Sequence, residues 1–442
     1  MSFLWSLVSF IVVIGVLVSV HEFGHFWAAR KCGVKVHRFS IGFGKVLWKR
    51  TDKQGTEFAL SVIPLGGYVK MLDERTEEVP LELKSQSFNS KTVLQRAFII
   101  ATGPLANFIF AIFAYWVIFV VGMPSVKPVI GEVKPHSIAA MAELAPNSQI
   151  LAVDGTQTED WESINLLLAS KLGNERVTLT VAPFGEHRIQ EKTLSLSNWT
   201  FNPEKESAFG SLGIKPVSSK VTNTLASVVK DSPAARAGLQ VGDVLLRLNG
   251  QSVDWQALVD RIQQGGTLDL QVLRQGEEMT VALTPEMKDG RYFAGIAPVV
   301  EPINEIYRTE LKYDILDALW KGVEKTWQLS ALTVKVIGKL FTGDLSLSNL
   351  SGPISIAKGA GASSSFGLIA FLSFMALISV NLGIMNLFPL PVLDGGHLVF
   401  LAAEGIKGKP VSERVQELCY RLGAALLLVL TAFALFNDFL RL

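Results

Sequence analysis

The sequence predicts a polytopic membrane protein in which a core of four transmembrane helices carries two small exported α+β domains in tandem. Three observations support this class. Only 18% of the 442 residues are charged and 49% are hydrophobic, whereas soluble proteins have about 25% charged residues. The apolar residues are concentrated in a few long runs. Between the second and third runs the composition is that of a soluble protein, and this part contains an internal repeat.

The predicted transmembrane segments are the stretches without charged residues. They comprise residues 3–20, 97–123, 366–393 and 422–437. The hydrocarbon core of a bilayer takes about 20 helical residues, so the first three are long enough and the fourth is marginal. The alternative for the first stretch is a cleaved signal peptide. It is disfavoured because the sequence has no basic n-region and no small-residue cleavage site there.

Basic residues are distributed unevenly around these segments. Arg30 and Lys31 begin a basic cluster directly after the first segment. The positive-inside rule therefore predicts residues 30–96 and 397–421 in the cytoplasm, and both termini with residues 124–365 outside. Both cysteines then lie on the cytoplasmic side, so the exported region has no disulfide framework. The net charge is +1 without a basic tract, which excludes nucleic acid as a partner.

The exported region contains two copies of one motif at a constant offset of 95 residues. Residues 137–140 match residues 232–235, and residues 150–155 match residues 245–250. Apolar alternation that ends in Asp-Gly or Asn-Gly predicts a strand entering a tight turn. The two copies are therefore predicted to be the same small α+β unit.

The repeated pattern resembles PDZ domains of the bacterial protease-associated type. The second copy fits throughout and has Gly242-Asp243 before its strand, whereas the first copy has Asn147-Ser148 there. PDZ domains bind peptides by adding a strand to a sheet edge. The resemblance therefore implies contact with a peptide or with the exported part of a substrate. The alternative is that the two domains act only as a spacer or a steric cap.

These observations divide the chain into five predicted regions. They are 1–123 with the first two segments, 124–217 and 218–300 with the PDZ-like domains, 301–365 as a linker, and 366–442 with the last two segments. Within the linker, residues 313–340 have apolar side chains at helical spacing, including Trp320 and Trp327. This amphipathic helix either lies in the membrane interface or packs its apolar face on the exported pair.

The first transmembrane segment is followed directly by the sequence His21-Glu22-Phe23-Gly24-His25. Residues four apart share a helix face, so His21 and His25 can direct two imidazoles to one metal ion. Glu22 then lies beside the metal, as a general base for a water molecule requires. Ionisable residues at membrane depth cost about 2.5–3.5 kcal/mol each and are functional by default. The alternative is a pair of histidines that reach the cytoplasmic interface without a metal.

A catalytic zinc site needs a third protein ligand and an open position. Asp394 is the first acidic residue after the uncharged residues 366–393. Pro389 and Pro391 precede it and break the helix, which lets the chain turn into the protein interior. Asp394 is therefore the predicted third ligand, and His397 is the competing candidate.

The H-E-x-x-H motif of the first segment, combined with the Leu-Asp-Gly motif around Asp394, resembles the site-2 protease family of intramembrane zinc metalloproteases. The resemblance covers essentially the whole chain. It implies that His21, His25 and Asp394 bind Zn²⁺ and that Glu22 activates water. It also implies a bacterial inner membrane protein whose exported domains and termini are periplasmic and whose active site lies toward the cytoplasm.

The resemblance further implies which residues receive the substrate. Asn381, Pro389 and Pro391 of the third segment belong to the family pattern for this role. Residues 58–70 consist of two short apolar runs around a Pro/Gly turn, and they resemble the membrane-reentrant β-hairpin of the family. Gly66 and Gly67 of this stretch are predicted to expose a strand edge to which an unwound substrate can add. The alternative is an ordinary cytoplasmic hairpin.

The sequence thus predicts an intramembrane zinc endopeptidase that cleaves transmembrane segments of single-pass membrane proteins. By the resemblance, its substrates are of the anti-sigma-factor type, with remnant signal peptides as a second class. The exported pair is predicted to act as a size filter. The alternative is a membrane-anchored PDZ adaptor with a structural metal site. A metal transporter is disfavoured because the predicted helices are almost free of polar residues elsewhere.

Overall fold

The computed structural model describes residues 3–75, 77–197, 199–201, 206–252, 254–288, 290–342 and 352–440. Four helices in this part of the chain are long and apolar enough to span a membrane, in agreement with the four predicted segments. They are Phe3–Lys31, Val93–Val121, Leu368–Leu387 and Glu413–Leu440. The architecture is therefore that of a membrane protein with additional β-sheets.

The N-terminal part of the chain surrounds the first two of these helices. Helix α1 (Phe3–Lys31) continues beyond its apolar run and includes the H-E-x-x-H motif. Two long strands follow, β1 (Val36–Thr51) and β2 (Glu57–Met71), and then a short 3₁₀ segment at Leu81–Gln86. Helix α2 (Val93–Val121) begins with a capping box between Thr92 and Gln95. This box satisfies N–H groups that have no partner within the helix.

The strands β1 and β2 pair in two registers, which corrects the predicted hairpin within residues 58–70. Phe39 of β1 lies between Val69 on one side and Phe58 on the other, so the two apolar runs of β2 flank β1 and are not paired with each other. The second half of β1 pairs with the first run of β2 again, as at Lys49 and Ala59. The bend in β1 occurs at Gly42–Gly44, where both glycines have positive φ. This pairing depends on β1, which is distant in sequence, so the local pattern of residues 58–70 does not predict it.

The region predicted to be exported contains two units, and the first of them, called the first exported unit below, follows α2. Its elements are β3 (Met123–Val126), β4 (Ile130–Val133), α3 (Ile138–Met141), β5 (Ser148–Val153), β6 (Thr156–Gln157), α4 (Trp161–Ser170), β7 (Arg176–Pro183), β8 (Gln190–Ser195), α5 (Ala208–Ser211) and β9 (Ile214–Pro216). A four-stranded sheet has the order β6-β5-β7-β8, and β4 pairs with β9. Leu168, Leu179 and Trp199 contribute to a buried apolar core between these elements.

The second exported unit has its own sheet and core. Its elements are β10 (Lys220–Val228), α6 (Pro233–Arg236), β11 (Val244–Leu248), β12 (Gln251–Ser252), α7 (Trp255–Gln264), β13 (Leu268–Arg274), β14 (Glu277–Leu283), β15 (Glu286–Lys288), β16 (Arg291–Phe293) and β17 (Ile296–Glu301). The sheet order is β14-β13-β11-β10-β17, with β12 on β11. Leu258, Leu270 and Leu283 are fully buried in its core.

The two units repeat the same local structures. The Ser137 and Ser232 side chains cap α3 and α6 in the same way. The predicted tight turns follow β5 and β11, where Asp154 and Asn249 adopt positive φ. In both turns the side chain accepts a hydrogen bond from a backbone N–H of the neighbouring strand, at 2.8 Å and 3.0 Å respectively. The sequence repeat is thus also a repeat in structure.

The chain returns to the membrane through two strands and a long helix. After β17 come a 3₁₀ turn at Glu305–Tyr307, β18 (Arg308–Leu311), which pairs with β3, and α8 (Ile315–Thr342). The remaining helices are α9 (Pro353–Ser365), α10 (Leu368–Leu387), α11 (Asp394–Lys407) and α12 (Glu413–Leu440). The third apolar run therefore forms one helix and a connection, because the proline-rich stretch after Leu387 does not continue α10.

Helix α8 is the predicted amphipathic helix, and it contacts both the membrane core and the first exported unit. A Cβ at Gly322 would lie 2.9 Å from the Ile112 carbonyl oxygen, so α8 and α2 approach closely at this glycine. On its polar side, Lys325 forms an ion pair of 3.0 Å with Glu162 of α4. Trp320 and Trp327 remain 70% and 73% exposed. The apolar face is thus divided between contact with α2 and an outward tryptophan surface.

Candidate metal centre

The two histidines of α1 and Asp394 converge on one point. The Nε2 atoms of His21 and His25 are 3.2 Å apart. Asp394 Oδ2 lies 3.2 Å from His21 Nε2 and 3.4 Å from His25 Nε2. Both histidines are buried. Three potential ligand atoms from two separate helices therefore enclose a single small space.

Asp394 reaches this point because α10 ends early and α11 begins with tightly packed glycines. A Cβ at Gly395 would lie 2.2 Å from the Leu387 carbonyl oxygen, and one at Gly396 would lie 2.2 Å from the Leu390 carbonyl oxygen. Any side chain at either position would push α11 away from the preceding connection. The two glycines after Asp394 therefore hold its carboxylate against the histidines.

Helix α2 sets the orientation of both imidazoles. His25 Nδ1 is 2.9 Å from the Ile99 carbonyl oxygen. His21 Nδ1 is 3.2 Å from the carboxamide of Asn107, a residue that is completely buried. A Cβ at Gly103 would lie 2.2 Å from His25 Nε2, so only glycine leaves room for this ring. These contacts direct both Nε2 atoms toward Asp394.

The arrangement fits a zinc ion. A neutral imidazole whose Nδ1–H donates to a carbonyl has a free lone pair on Nε2. Asp394 Oδ2 is buried and has no hydrogen-bond partner among the described residues. A tetrahedral zinc ion with bonds of about 2.0–2.2 Å has ligand atoms about 3.3–3.5 Å apart. The observed separations of 3.2–3.4 Å agree with that spacing. A bound cation would provide the partner for these converging acceptor atoms.

Glu22 and one edge of the sheet of β1 and β2 face the same space. A cavity of about 330 Å³ is lined by the three ligand candidates, Glu22, Gly67, Asn386 and His397, among others. A Cβ at Gly67 would lie 3.0 Å from Glu22 Cγ, so this glycine lets β2 approach the carboxylate. Glu22 is not part of the converging ligand group. The site thus combines a metal position, a free carboxylate and a strand edge.

The other candidate residues lie around this cavity at different distances. His397 lines the cavity but is outside the ligand group, and its Nδ1 is 3.2 Å from the Tyr420 hydroxyl. Asn381 accepts a hydrogen bond of 2.8 Å from Thr333 of α8 and is not among the residues that line the cavity. Gly66 has a positive φ, and a Cβ there would lie 2.2 Å from the Phe43 ring.

The prolines of the connection and two asparagines complete the surroundings. Pro389 is exposed, whereas Pro391 packs toward Gly423 of α12. Asn386 and Asn107 were missed by the sequence reasoning as site residues. Asn107 had a detectable signal, because it is the only carboxamide in the uncharged run 97–123. Asn386 lies three residues before Pro389, within the stretch already singled out.

Comparison with known proteins identifies the family. The model of peptidase family M50 matches residues 9–430. The chain is 65% identical to the regulator of sigma E protease of Haemophilus influenzae, with all of both chains covered. It is 55% identical to the regulator of sigma-E protease RseP of Escherichia coli, again over the full length of both. A Pasteurella multocida protein that carries the name zinc metalloprotease is 65% identical over the full length of both chains. The chain belongs to peptidase family M50, whose members are zinc-dependent endopeptidases.

Proposed function

We propose that this protein cleaves transmembrane segments of single-pass membrane proteins at a zinc site formed by His21, His25 and Asp394, with Glu22 as the general base. The convergence of the three ligand atoms at 3.2–3.4 Å, on helices that can span a membrane, is the observation that carries this proposal. A hydrolytic site at membrane depth acts on peptide bonds that soluble proteases cannot reach.

The chain's own residues then divide the work of hydrolysis. Bound zinc supplies an activated water at neutral pH and polarises the scissile carbonyl. Glu22 accepts the proton of the attacking water and delivers it to the leaving amine. Its carboxylate shares the cavity with the ligands without belonging to them, which suits a proton carrier. His21, His25 and Asp394 hold the metal in a fixed position during both steps.

The strand edge of β2 positions the substrate. Gly67, Tyr68 and Val69 line the cavity, and this segment pairs with β1 on one side only within the described residues. A transmembrane helix has all its backbone groups hydrogen-bonded, so it must unwind before cleavage. The unwound segment adds to the free edge as an extended strand, next to Glu22. Gly66 and Gly67 keep this approach free of side chains.

The connection between α10 and α11 forms the opposite wall. Pro389 and Pro391 keep this stretch out of helical conformation, and Asn386 faces the cavity at the end of α10. Asn381 Oδ1 accepts the Thr333 hydroxyl, and its NH₂ group is left to donate to a polar group of the unwound substrate.

The exported units, as two PDZ domains at residues 124–217 and 218–300, act as a size filter above the site. The amphipathic linker at residues 301–365 supports this role, since Lys321 and Lys325 of α8 pair with Glu159 and Glu162 of the first unit at 3.0 Å each. A substrate with a large exported domain is excluded by this pair, and one already shortened is admitted. The family names of the relatives support substrates of the anti-sigma-factor type.

The orientation follows from the distribution of basic residues. The exported pair and both termini face the periplasm, and residues 30–96 and 397–421 face the cytoplasm. The zinc site then lies near the cytoplasmic side of the inner membrane. The hairpin-like strands β1 and β2 follow α1 directly, so they re-enter the membrane from that side.

The test is cleavage of single-span substrates by the purified protein, with and without a zinc chelator. Glu22→Gln is expected to keep its zinc and to lose about 10²–10⁴-fold in cleavage rate, since a general base contributes on that scale. Glu417→Gln is the matched control, because Glu417 is an exposed partner of Arg421. Full cleavage by Glu22→Gln would show that Glu22 is not the general base. Zinc without any cleavage in the unaltered protein would favour the adaptor function.

A further inference from the structure

The two imidazoles of the proposed zinc site are supported by different kinds of groups. His25 Nδ1 contacts a main-chain carbonyl, that of Ile99, at 2.9 Å. His21 Nδ1 contacts a side chain, the carboxamide of Asn107, whose Nδ2 atom lies 3.2 Å away and whose Oδ1 has no hydrogen-bond partner among the described residues. A main-chain carbonyl is present whatever the residue, whereas the contact to His21 depends on the identity of residue 107.

Asn107 is placed where an unpaired amide is costly. It is completely buried, and it is the only carboxamide in the uncharged run 97–123. A buried amide without hydrogen bonds costs roughly 1–3 kcal/mol on protein scales. Its backbone is also fixed, because the Ser379 hydroxyl of α10 donates to the Asn107 carbonyl oxygen at 2.9 Å. The side chain therefore has a defined position beside His21.

The chemistry of imidazole decides which amide atom must face His21. A neutral imidazole carries one proton, so an Nε2 that binds metal requires the proton on Nδ1. That Nδ1–H needs an acceptor, and a carboxamide offers one only through its oxygen. The amide nitrogen faces His21 in the structure, and rotation of the amide by 180° exchanges its oxygen and nitrogen within nearly the same volume. With the nitrogen toward His21, Nδ1 accepts instead and the proton stays on Nε2, where it blocks the metal.

We propose that Asn107 is a positioning residue whose carboxamide oxygen accepts the Nδ1–H of His21 and thereby presents the Nε2 lone pair to zinc. The inference rests on the proposed ligand set. Metal-binding histidines generally donate their second ring N–H to an acceptor, and loss of that acceptor typically weakens metal binding 10–100-fold. Helix α2 thus sets the tautomer of both histidines without contributing a ligand.

The experiment measures zinc affinity by chelator competition on the purified full-length protein. Asn107→Leu, which keeps the approximate size and removes the acceptor, is expected to bind zinc roughly 10–100-fold more weakly. Asn107→Asp, which can only accept, is expected to bind zinc at least as tightly as the unaltered protein. Gln328→Leu is the matched control, because it removes a carboxamide of α8 that bonds Glu324 in the same helix and no ligand. Its zinc affinity is expected to stay unchanged.

The Leu and Asp variants of Asn107 distinguish a positioning role of this side chain from a packing role. If Asn107→Asp loses zinc as strongly as Asn107→Leu, the amide acts as a donor or as a space filler and the inference fails. Unchanged affinity in a folded Asn107→Leu overturns it as well. The Asp variant is decisive even where the Leu variant does not fold. His21→Ala tests the ligand set itself: if this variant keeps its zinc, the proposed function fails, and not only the role of Asn107.

Discussion

The metal centre and the exported domains are held in place by polar contacts of opposite kinds. At the centre, the imidazole of His25 is fixed by the buried Ile99 carbonyl at 2.9 Å. The first exported unit is attached by partly exposed ion pairs, such as the 3.0 Å pair between Lys321 and Glu159, whose side chains are 34% and 47% exposed. Buried polar groups are costly to separate, whereas surface ion pairs contribute about 0–1 kcal/mol. The centre is thus built for fixed geometry, and the attachment of the domains allows adjustment.

The two exported units show the same contrast on a smaller scale. In the second unit, the Gly242-Asp243 position is rigid, because the buried Asp243 carboxylate pairs with Arg274 at 2.7 Å through both oxygens. In the first unit, Asn147 stands in place of Gly242 and Ser148 in place of Asp243, and the Asn147 side chain accepts a hydrogen bond from Tyr307 just before β18. The departure of the first repeat from the PDZ pattern therefore coincides with its contact to the returning chain. At this two-residue segment, one copy has an ion pair within its own unit and the other has a contact to the returning chain.

The largest expected effect concerns the fixed centre. Asp394→Asn should weaken zinc binding by more than the roughly 10–100-fold typical of a lost supporting residue, because a charged ligand becomes a neutral one. His397→Ala should keep zinc, since His397 lies outside the converging group. Zinc content after dialysis against a chelator, together with cleavage rate, measures both. Retained zinc in Asp394→Asn with loss in His397→Ala would make His397 the ligand.

Much of this centre could be predicted from the sequence, and what could not has a physical reason. Helical spacing places His21 and His25 on one face, and an acidic residue after a long uncharged run is conspicuous at Asp394. Asn107 carries no charge and belongs to no spaced pair, so only its isolation in an apolar run marks it. The helix α9 within the linker also escaped prediction, because its small residues show no amphipathic period.

The sheet beside the centre was the part that local patterns predicted incorrectly. The two runs of β2 alternate as a hairpin would, and the turn residues between them are suitable for one. Their actual neighbour is Phe39 of β1, which packs with Phe26 of α1 and Phe58 of β2. The aromatic cluster, which joins three separate stretches of chain, selects the pairing. Long-range packing of this kind is absent from any single window of sequence.

The second prediction concerns a variant that lacks the exported domains. Deletion of residues 128–298 joins positions close to β3 and β18, which pair with each other at the base of the exported region. The shortened protein should cleave a single-span substrate that keeps its exported domain, whereas the full chain should cut only a shortened one. Gel analysis of both substrates with both proteins measures this. If the deletion variant cuts the short substrate and leaves the long one intact, the exported pair is not the filter.

A smaller effect should appear as a difference between the two exported units in how their stability depends on pH. The Arg274 guanidinium holds the pKa of the Asp243 carboxyl below its usual range. The stabilisation is therefore present above the unfolded carboxyl pKa of about 3.9 and is lost as the pH falls through the lower folded pKa. The protection of β13 amides against hydrogen exchange, taken relative to the intrinsic exchange rate at each pH, should fall at acid pH more than that of β7, where the first unit has Ser148 in place of the aspartate.

The variant Asp243→Asn tests whether the ion pair with Arg274 causes this difference. It should weaken the second unit near neutral pH and reduce the acid dependence of exchange in β13, because the ion pair is already absent. Asp260→Asn is the matched control, since Asp260 is exposed and bonds only to Gln256 in the same helix. An equal acid response of β7 and β13 in the unaltered protein would show that the two units do not differ in this way.

The smallest expected effect tests the attachment itself. Lys321→Met should weaken docking of the first unit on α8 by about 1 kcal/mol, or roughly fivefold in the docking equilibrium. Its 3.0 Å ion pair with Glu159 lies between the two bodies, whereas the 2.8 Å pair of Lys215 with Glu132 lies within the first unit. Lys215→Met is thus the matched control. Hydrogen exchange in α4, measured at low and high salt, should respond to Lys321→Met and not to Lys215→Met. Because salt screens surface pairs, high salt should reproduce part of the effect in the unaltered protein.

Equal exchange in all three proteins would mean that packing against α8, and not charge, attaches the domain. The attachment would then be as fixed as the centre, and the contrast between the two regions would not hold.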